Sequence, residues 1–342
     1  MKPTFHTLCI LLSIMAQIVN AAEFKEEEMR IRNTMDSVTL AGTLTTPAAG
    51  EPKGVLVLAS GSGAQNRDEE IMGHRPFKVI AEYLSTNGYA VLRMDDRGTG
   101  DSEGDFTWAV TDDFVKDISA GLTEMRHRYP QLPLGVLGHS EGGTVAIKEA
   151  AGNSDCDFII TLGAPAWSGD SIIMSQSRAL AVGLTGRWDG EASQREILKI
   201  VQSDLPDIQA RMALTLLITQ AYGANANLPG MQTAIGKQVD VLLSPWYRTM
   251  VKYDPEADIR AVRKPWLAIN GERDTQVLPA NLATIRELNP TAETVELPAH
   301  NHLLQPCITG LVNEYATLPA APSSDALALI LRWLTATPLP HP

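Results

Sequence analysis

Ser140 stands in the string Gly138-His139-Ser140-Glu141-Gly142, and Asp274, His300 and His302 follow it later in the chain. A serine hydroxyl is a weak nucleophile until a base takes its proton, and that base must be oriented by a carboxylate. A serine, an acid and a histidine in this order can carry out acyl transfer through a covalent intermediate. Ser140 is expected as nucleophile and Asp274 as orienting acid. Either His300 or His302 can supply the base from the same loop.

The serine string is common by chance, so its meaning depends on the elements around it. A buried apolar run, 134–137, leads into it and a helical stretch, 143–150, leads out. A serine on such a strand-to-helix turn is held exposed, and small flanking residues let the backbone turn sharply. The Glu141 amide then lies at a helix N-terminus, placed to stabilise a developing oxyanion. A second donor is expected from the loop Ser60-Gly61-Ser62-Gly63, with the Ser62 amide preferred and Gly63 as the alternative. That glycine loop lacks both nucleotide-binding glycine strings, which argues against a phosphate cradle.

Asp274 follows the strand-like run 266–270, and both histidines follow the run 294–297. Both loops should therefore open on the same sheet edge as the serine turn. Glu272 is a nearby rival to Asp274, but two residues earlier it should point elsewhere and sit nearer the strand. Asp96 and Arg97 follow the run 90–94 and read as a structural turn or as a salt bridge orienting the oxyanion loop. His139 reads as packed beneath the turn.

Runs 28–33 and 38–45 alternate apolar and polar residues, as a half-buried antiparallel pair does. Short apolar runs at 55–60, 90–94, 134–137, 158–162, 266–270 and 294–297 alternate with helical stretches at 77–86, 112–128, 279–288 and 325–335. This implies an α/β fold with a mostly parallel central sheet covered on both faces. The alternation breaks between residues 165 and 258, where four stretches read as helices: 172–184, 192–203, 207–221 and 231–243. A helical insertion at this point reads as a lid over the sheet edge, or alternatively as a separate helical domain. The expected division is a leader at 1–21, core segments at 22–164 and 259–342, and the insertion at 165–258.

The formal net charge is −12, from 28 Lys and Arg against 40 Asp and Glu. That balance repels nucleic acid and anionic membrane surfaces, and a small molecule is the expected partner. Lys2 followed by the apolar run 8–19 and Val19-Asn20-Ala21 has the grammar of a secretory signal peptide cleaved after Ala21. The run is shorter than the roughly 20 residues that a membrane anchor needs. Export to a secreted or periplasmic location follows, with no stable membrane insertion after cleavage. Cys156 and Cys307 would remain, either bridged or as two buried thiols.

Further strings continue the pattern. Ala59-Ser60-Gly61-Ser62-Gly63-Ala64-Gln65-Asn66-Arg67-Asp68-Glu69, Asp95-Asp96-Arg97-Gly98-Thr99-Gly100-Asp101-Ser102 and Gly138-His139-Ser140-Glu141-Gly142-Gly143 resemble secreted α/β-hydrolase-fold serine esterases related to the dipeptidyl-peptidase and prolyl-oligopeptidase branch. Ser244-Pro245-Trp246-Tyr247, Asn270-Gly271-Glu272-Arg273-Asp274 and Asn301-His302-Leu303-Leu304-Gln305-Pro306 extend the resemblance over most of the chain. It implies hydrolysis of short acyl esters with no metal or organic cofactor, and it implies His302 as base with Asp274 as its acid. The chain departs from the pattern at Ala64, where relatives carry proline, and throughout the insertion. That departure bears on substrate choice.

Overall fold

The computed structural model describes residues 23–153, 155–319 and 321–340. The expected leader at 1–21 lies outside the described residues. An antiparallel pair, β1 (Phe24–Asn33) and β2 (Val38–Pro47), opens the chain. There follow β3 (Val55–Ala59), α1 (Pro76–Thr86), β4 (Ala90–Met94), α2 (Thr111–Arg128), β5 (Leu134–His139), α3 (Glu141–Gly152) and β6 (Phe158–Leu162). Six helices come next: α4 (Gly169–Thr185), α5 (Glu191–Gln202), α6 (Asp207–Tyr222), α7 (Met231–Leu242), α8 (Pro245–Lys252) and α9 (Glu256–Ala261). The chain then returns through β7 (Trp266–Gly271), α10 (Ala280–Leu288), β8 (Glu293–Leu297) and α11 (Ser324–Ala336).

The eight strands form one sheet in the order β1-β2-β4-β3-β5-β6-β7-β8. Pairing is antiparallel at β1-β2 and β2-β4 and parallel from β4 through β8. The central strands are buried throughout because each alternates residues between two cores. In β3, Val55, Val57 and Ala59 pack towards Leu122 of α2 and Val145 of α3, whereas Leu56 and Leu58 pack towards Ile80 of α1 and Ile330 of α11. This explains why these strands read as continuous apolar runs and not as alternating ones.

Between β6 and β7 the helices build a smaller core of their own, in which Val201 of α5, Leu214 of α6, Val239 of α7 and Val251 of α8 are buried together. The turn after β5 and the loops after β3, β7 and β8 meet at the carboxyl edge, where they share one cavity with residues of this helical stretch. That is where ligands bind in open α/β sheets. No helix among the described residues is long and apolar enough to cross a membrane. Cys156 and Cys307 are separate buried thiols.

Candidate active site

Ser140 is the residue between β5 and α3, with φ 53° and ψ −117°. A non-glycine residue in this region carries roughly 1–3 kcal/mol of strain and persists only where its surroundings impose it. They do so here. The Ser140 amide donates to the Leu162 carbonyl at 2.8 Å, and its own carbonyl accepts from Gly143 at 2.9 Å. A β-carbon at Gly142 would stand 1.9 Å from the Ala59 carbonyl oxygen, so the start of α3 can press against β3 only as glycine.

Asp274 is buried in the loop after β7, and its two oxygens have different duties. Oδ1 accepts the amides of Gln276 and Val277 at 2.8 and 2.9 Å, and Oδ2 lies 2.7 Å from His302 Nδ1. The loop carrying His302 is fixed by fully buried Asn301, whose Oδ1 accepts the amides of Leu303 and Gln305. His302 and Ser140 line one cavity of about 340 Å³.

The rival residues go elsewhere. His300 Nδ1 lies 2.7 Å from the Pro298 carbonyl and Nε2 lies 2.9 Å from Ser323 Oγ, so its ring is engaged in packing α11 onto the loop. Glu272 Oε2 accepts the Ala299 amide at 2.6 Å. His139 lies beneath the turn, its ring centroid 4.7 Å from that of His302.

Asp96 and Arg97 separate. Arg97 turns away to Asp117, at 2.7 Å, and to Asp36. Asp96 does hold the glycine loop that begins at Ser60, but through hydrogen bonds and not a salt bridge: Oδ1 accepts from Ser60 Oγ at 2.7 Å and Oδ2 from the Gln65 amide at 2.9 Å. Burial pushes its carboxyl up to about 7, against those hydrogen bonds, and the nearby Glu141 and Glu69 carboxylates add to the rise.

Thr111 Oγ1 at 2.7 Å and Trp246 Nε1 at 2.9 Å donate to the Glu141 carboxylate. Burial of Glu141 raises its pKa, and the Thr111 and Trp246 donors oppose the rise. Among the described residues neither the Ser62 nor the Glu141 amide has a protein acceptor. Glu69 is a residue that sequence reasoning did not single out. It is completely buried, and its Oε1 accepts the Gly61 amide at 2.6 Å. The only sign of it was membership of the string beginning at Ala59; nothing in the local pattern marks an acid that turns inward. No group of His, Cys, Asp or Glu among the described residues is arranged to hold a metal ion.

The apolar walls of the cavity come from both parts of the chain: Trp167, Ile172 and Trp246 from the stretch between β6 and β7, with Val277, Leu303 and Tyr315 from the core. Comparison with known proteins gives this arrangement its kin. Residues 50–222, about half of the chain, match the hydrolase family described as serine aminopeptidase, S33. The chain belongs to this family. The matched stretch runs from before β3 through α6, and so includes the serine turn, the glycine loop and much of the helical insertion.

Esterase EstD of Thermotoga maritima is 28% identical over 182 residues, covering 53% of this chain and 42% of that protein. Human monoglyceride lipase is 35% identical over 105 residues, 30% of this chain and 31% of the lipase. The chain thus aligns with less than half the length of these curated relatives. In structure, the Pyrococcus furiosus esterase Pf2001 superposes with a TM-score of 0.57 at 18% identity, covering 92% of this chain and 94% of that one. That likeness establishes the α/β-hydrolase fold for this family member.

Proposed function

We propose that the chain is a carboxylic-ester hydrolase whose nucleophile is Ser140, with His302 as base and Asp274 as its orienting acid. One observation carries this reading: the strained Ser140 turn and the His302 ring, bonded to Asp274 at 2.7 Å, face the same cavity. His302 takes the Ser140 proton as the oxygen attacks an ester carbonyl. The amides of Ser62 and Glu141, without protein acceptors, stabilise the tetrahedral oxyanion. The alcohol leaves with the proton from His302, and water releases the acyl group by the same route. The six helices between β6 and β7 act as a lid that sets the acyl and alcohol pockets.

Named relatives that are an esterase and a monoglyceride lipase support ester cleavage. The family description favours a second reading, cleavage of a peptide bond beside a free amino terminus. An aminopeptidase needs an available carboxylate to hold the substrate ammonium. The carboxylates lining the cavity are Glu69 and Glu141, both buried and bonded to protein donors, which favours the ester. The sequence strings support a place beside the dipeptidyl-peptidase-like branch, and export through cleavage after Ala21 belongs to the same proposal. Ser140→Ala is expected to lose hydrolysis of p-nitrophenyl acetate and butyrate while keeping its circular dichroism. Undiminished turnover, or wild-type preference for aminoacyl anilides over esters, would overturn the reading.

A further inference from the structure

His139 is held between two acceptors. Its Nδ1 lies 2.8 Å from Glu69 Oε1 and its Nε2 lies 3.1 Å from the main-chain oxygen of His302. A neutral imidazole carries one N–H and can satisfy only one of two acceptors, whereas the protonated ring satisfies both. Glu69 Oε1 already accepts the Gly61 amide at 2.6 Å, as an ionised carboxylate does. Its other oxygen is buried with no hydrogen-bond partner. Glu69 reaches this place with a backbone φ of 51°, a conformation that must be imposed by the fold.

We propose that His139 is a stable imidazolium paired with the Glu69 carboxylate, and that this buried ion pair is a positioning device joining the oxyanion loop to the loop that carries His302. Both ends of the link bear on the chemistry. Gly61 precedes Ser62, so the carboxylate that fixes the Gly61 amide also fixes the peptide leading to the expected oxyanion donor. At the other end, the imidazolium holds the carbonyl of the very residue that acts as base. The inference rests on the reading of Ser140 and His302 as nucleophile and base.

The charged and titratable groups around the ring are few. Glu69 faces it from the loop before α1, and Asp274 and His302 from the loops after β7 and β8. Burial alone would discharge His139, but the Glu69 carboxylate, the His302 carbonyl and Asp274 together outweigh it, so its pKa stands raised. Breaking a buried pair leaves one charge uncompensated, which is why removal of either partner should disturb both loops together.

The wild-type chain labelled with ¹⁵N-histidine tests the charge state directly. Both His139 nitrogens are expected to be protonated from about pH 6 to 8, where an ordinary histidine loses its charge. A singly protonated ring at neutral pH overturns the proposal. This measurement does not depend on activity, so a wild type without esterase turnover would refute the functional reading and still decide the ion pair. For positioning, kcat on p-nitrophenyl butyrate is expected to fall about 10²-fold in Glu69→Gln and in His139→Gln, with KM little changed. The double variant should be no slower than the worse single one, because the two act as a unit. Losses that multiply, or a rise in KM with kcat unchanged, would refute the positioning role. If the variants fail to fold, the ¹⁵N spectra remain decisive.

Discussion

Trp246 Nε1 lies 2.9 Å from Glu141 Oε1 and 3.0 Å from Oε2, tying an indole of α8 to the residue that follows Ser140. Thr111 at the start of α2 donates to the same carboxyl. One buried acid therefore ties the helical insertion to the core beside Ser140. A carboxyl used in this way is a structural hub, and its raised pKa reflects the burial that the hub requires.

Trp246→Phe keeps an aromatic wall but removes the indole donor. A buried acceptor that loses its partner costs about 1–3 kcal/mol, so thermal unfolding should shift downward. KM for p-nitrophenyl butyrate should rise more than kcat falls, because Trp246 lines the cavity and anchors the insertion. Steady-state kinetics beside a melting curve checks both. Unchanged stability would show that the indole hydrogen bond carries no net weight.

The two histidines of one loop should behave as different kinds of residue. His302→Ala is expected to lower kcat by about 10⁴-fold or more, with the fold intact. His300→Ala removes the ring that bridges the Pro298 carbonyl and Ser323, so its cost should appear in stability, again about 1–3 kcal/mol. Turnover should stay within a few-fold of wild type. A dead His300→Ala protein beside a live His302→Ala protein would reverse the assignment.

The sheet was readable in the sequence because each central strand is a short apolar run closed by turn residues, and burial on both faces produces that pattern. The serine turn and the Asp274 loop were readable for a related reason: each follows its strand directly. Strand ends were less readable. β5 continues through His139, because a histidine can stay in the ladder when both ring nitrogens find partners below it. The supporting shell was hidden. Glu69 and Thr111 touch the site only through side chains brought in from 71 and 29 residues before Ser140, and periodicity carries no information about such contacts. Asp96 and Arg97 look like a natural pair by adjacency, yet the chain turns at Arg97 and the two side chains serve different partners.

Gly163→Ala tests the fit behind His302, the proposed base. Gly163 has φ 60°, and a β-carbon there would lie 3.0 Å from His302 Cε1 and Nδ1 and 3.3 Å from Asp274 Oδ2. The added methyl must push the ring or the carboxylate aside, since neither is the free end of a flexible chain. The displacement needed is a few tenths of an ångström, well short of the roughly 1 Å that can cost about 10²-fold in rate, so kcat should fall by a smaller factor, about 10-fold, with KM nearly unchanged. A melting curve will also register the strain. Full activity in this variant would mean that the His302–Asp274 contact tolerates displacement.

Asp96→Asn should make the protein more stable at pH 8 than wild type, and the advantage should vanish towards pH 4. The sign follows from linkage. In the unfolded chain the carboxyl ionises near 4, whereas in the folded chain it is pushed up to about 7. Between those values the folded state binds more protons than the unfolded state, so wild-type stability falls as pH rises through that window. Below it the acid is neutral in both states and imposes nothing. Asparagine is neutral throughout, and it can still accept the Gln65 amide while its own amide donates to Ser60 Oγ. The loop should therefore stay in place, and the stability difference at pH 8 should be about 1–3 kcal/mol. Urea unfolding of both proteins at pH 4, 6 and 8 measures it. A variant that is less stable at every pH would show instead that the ionised carboxylate is what the loop requires.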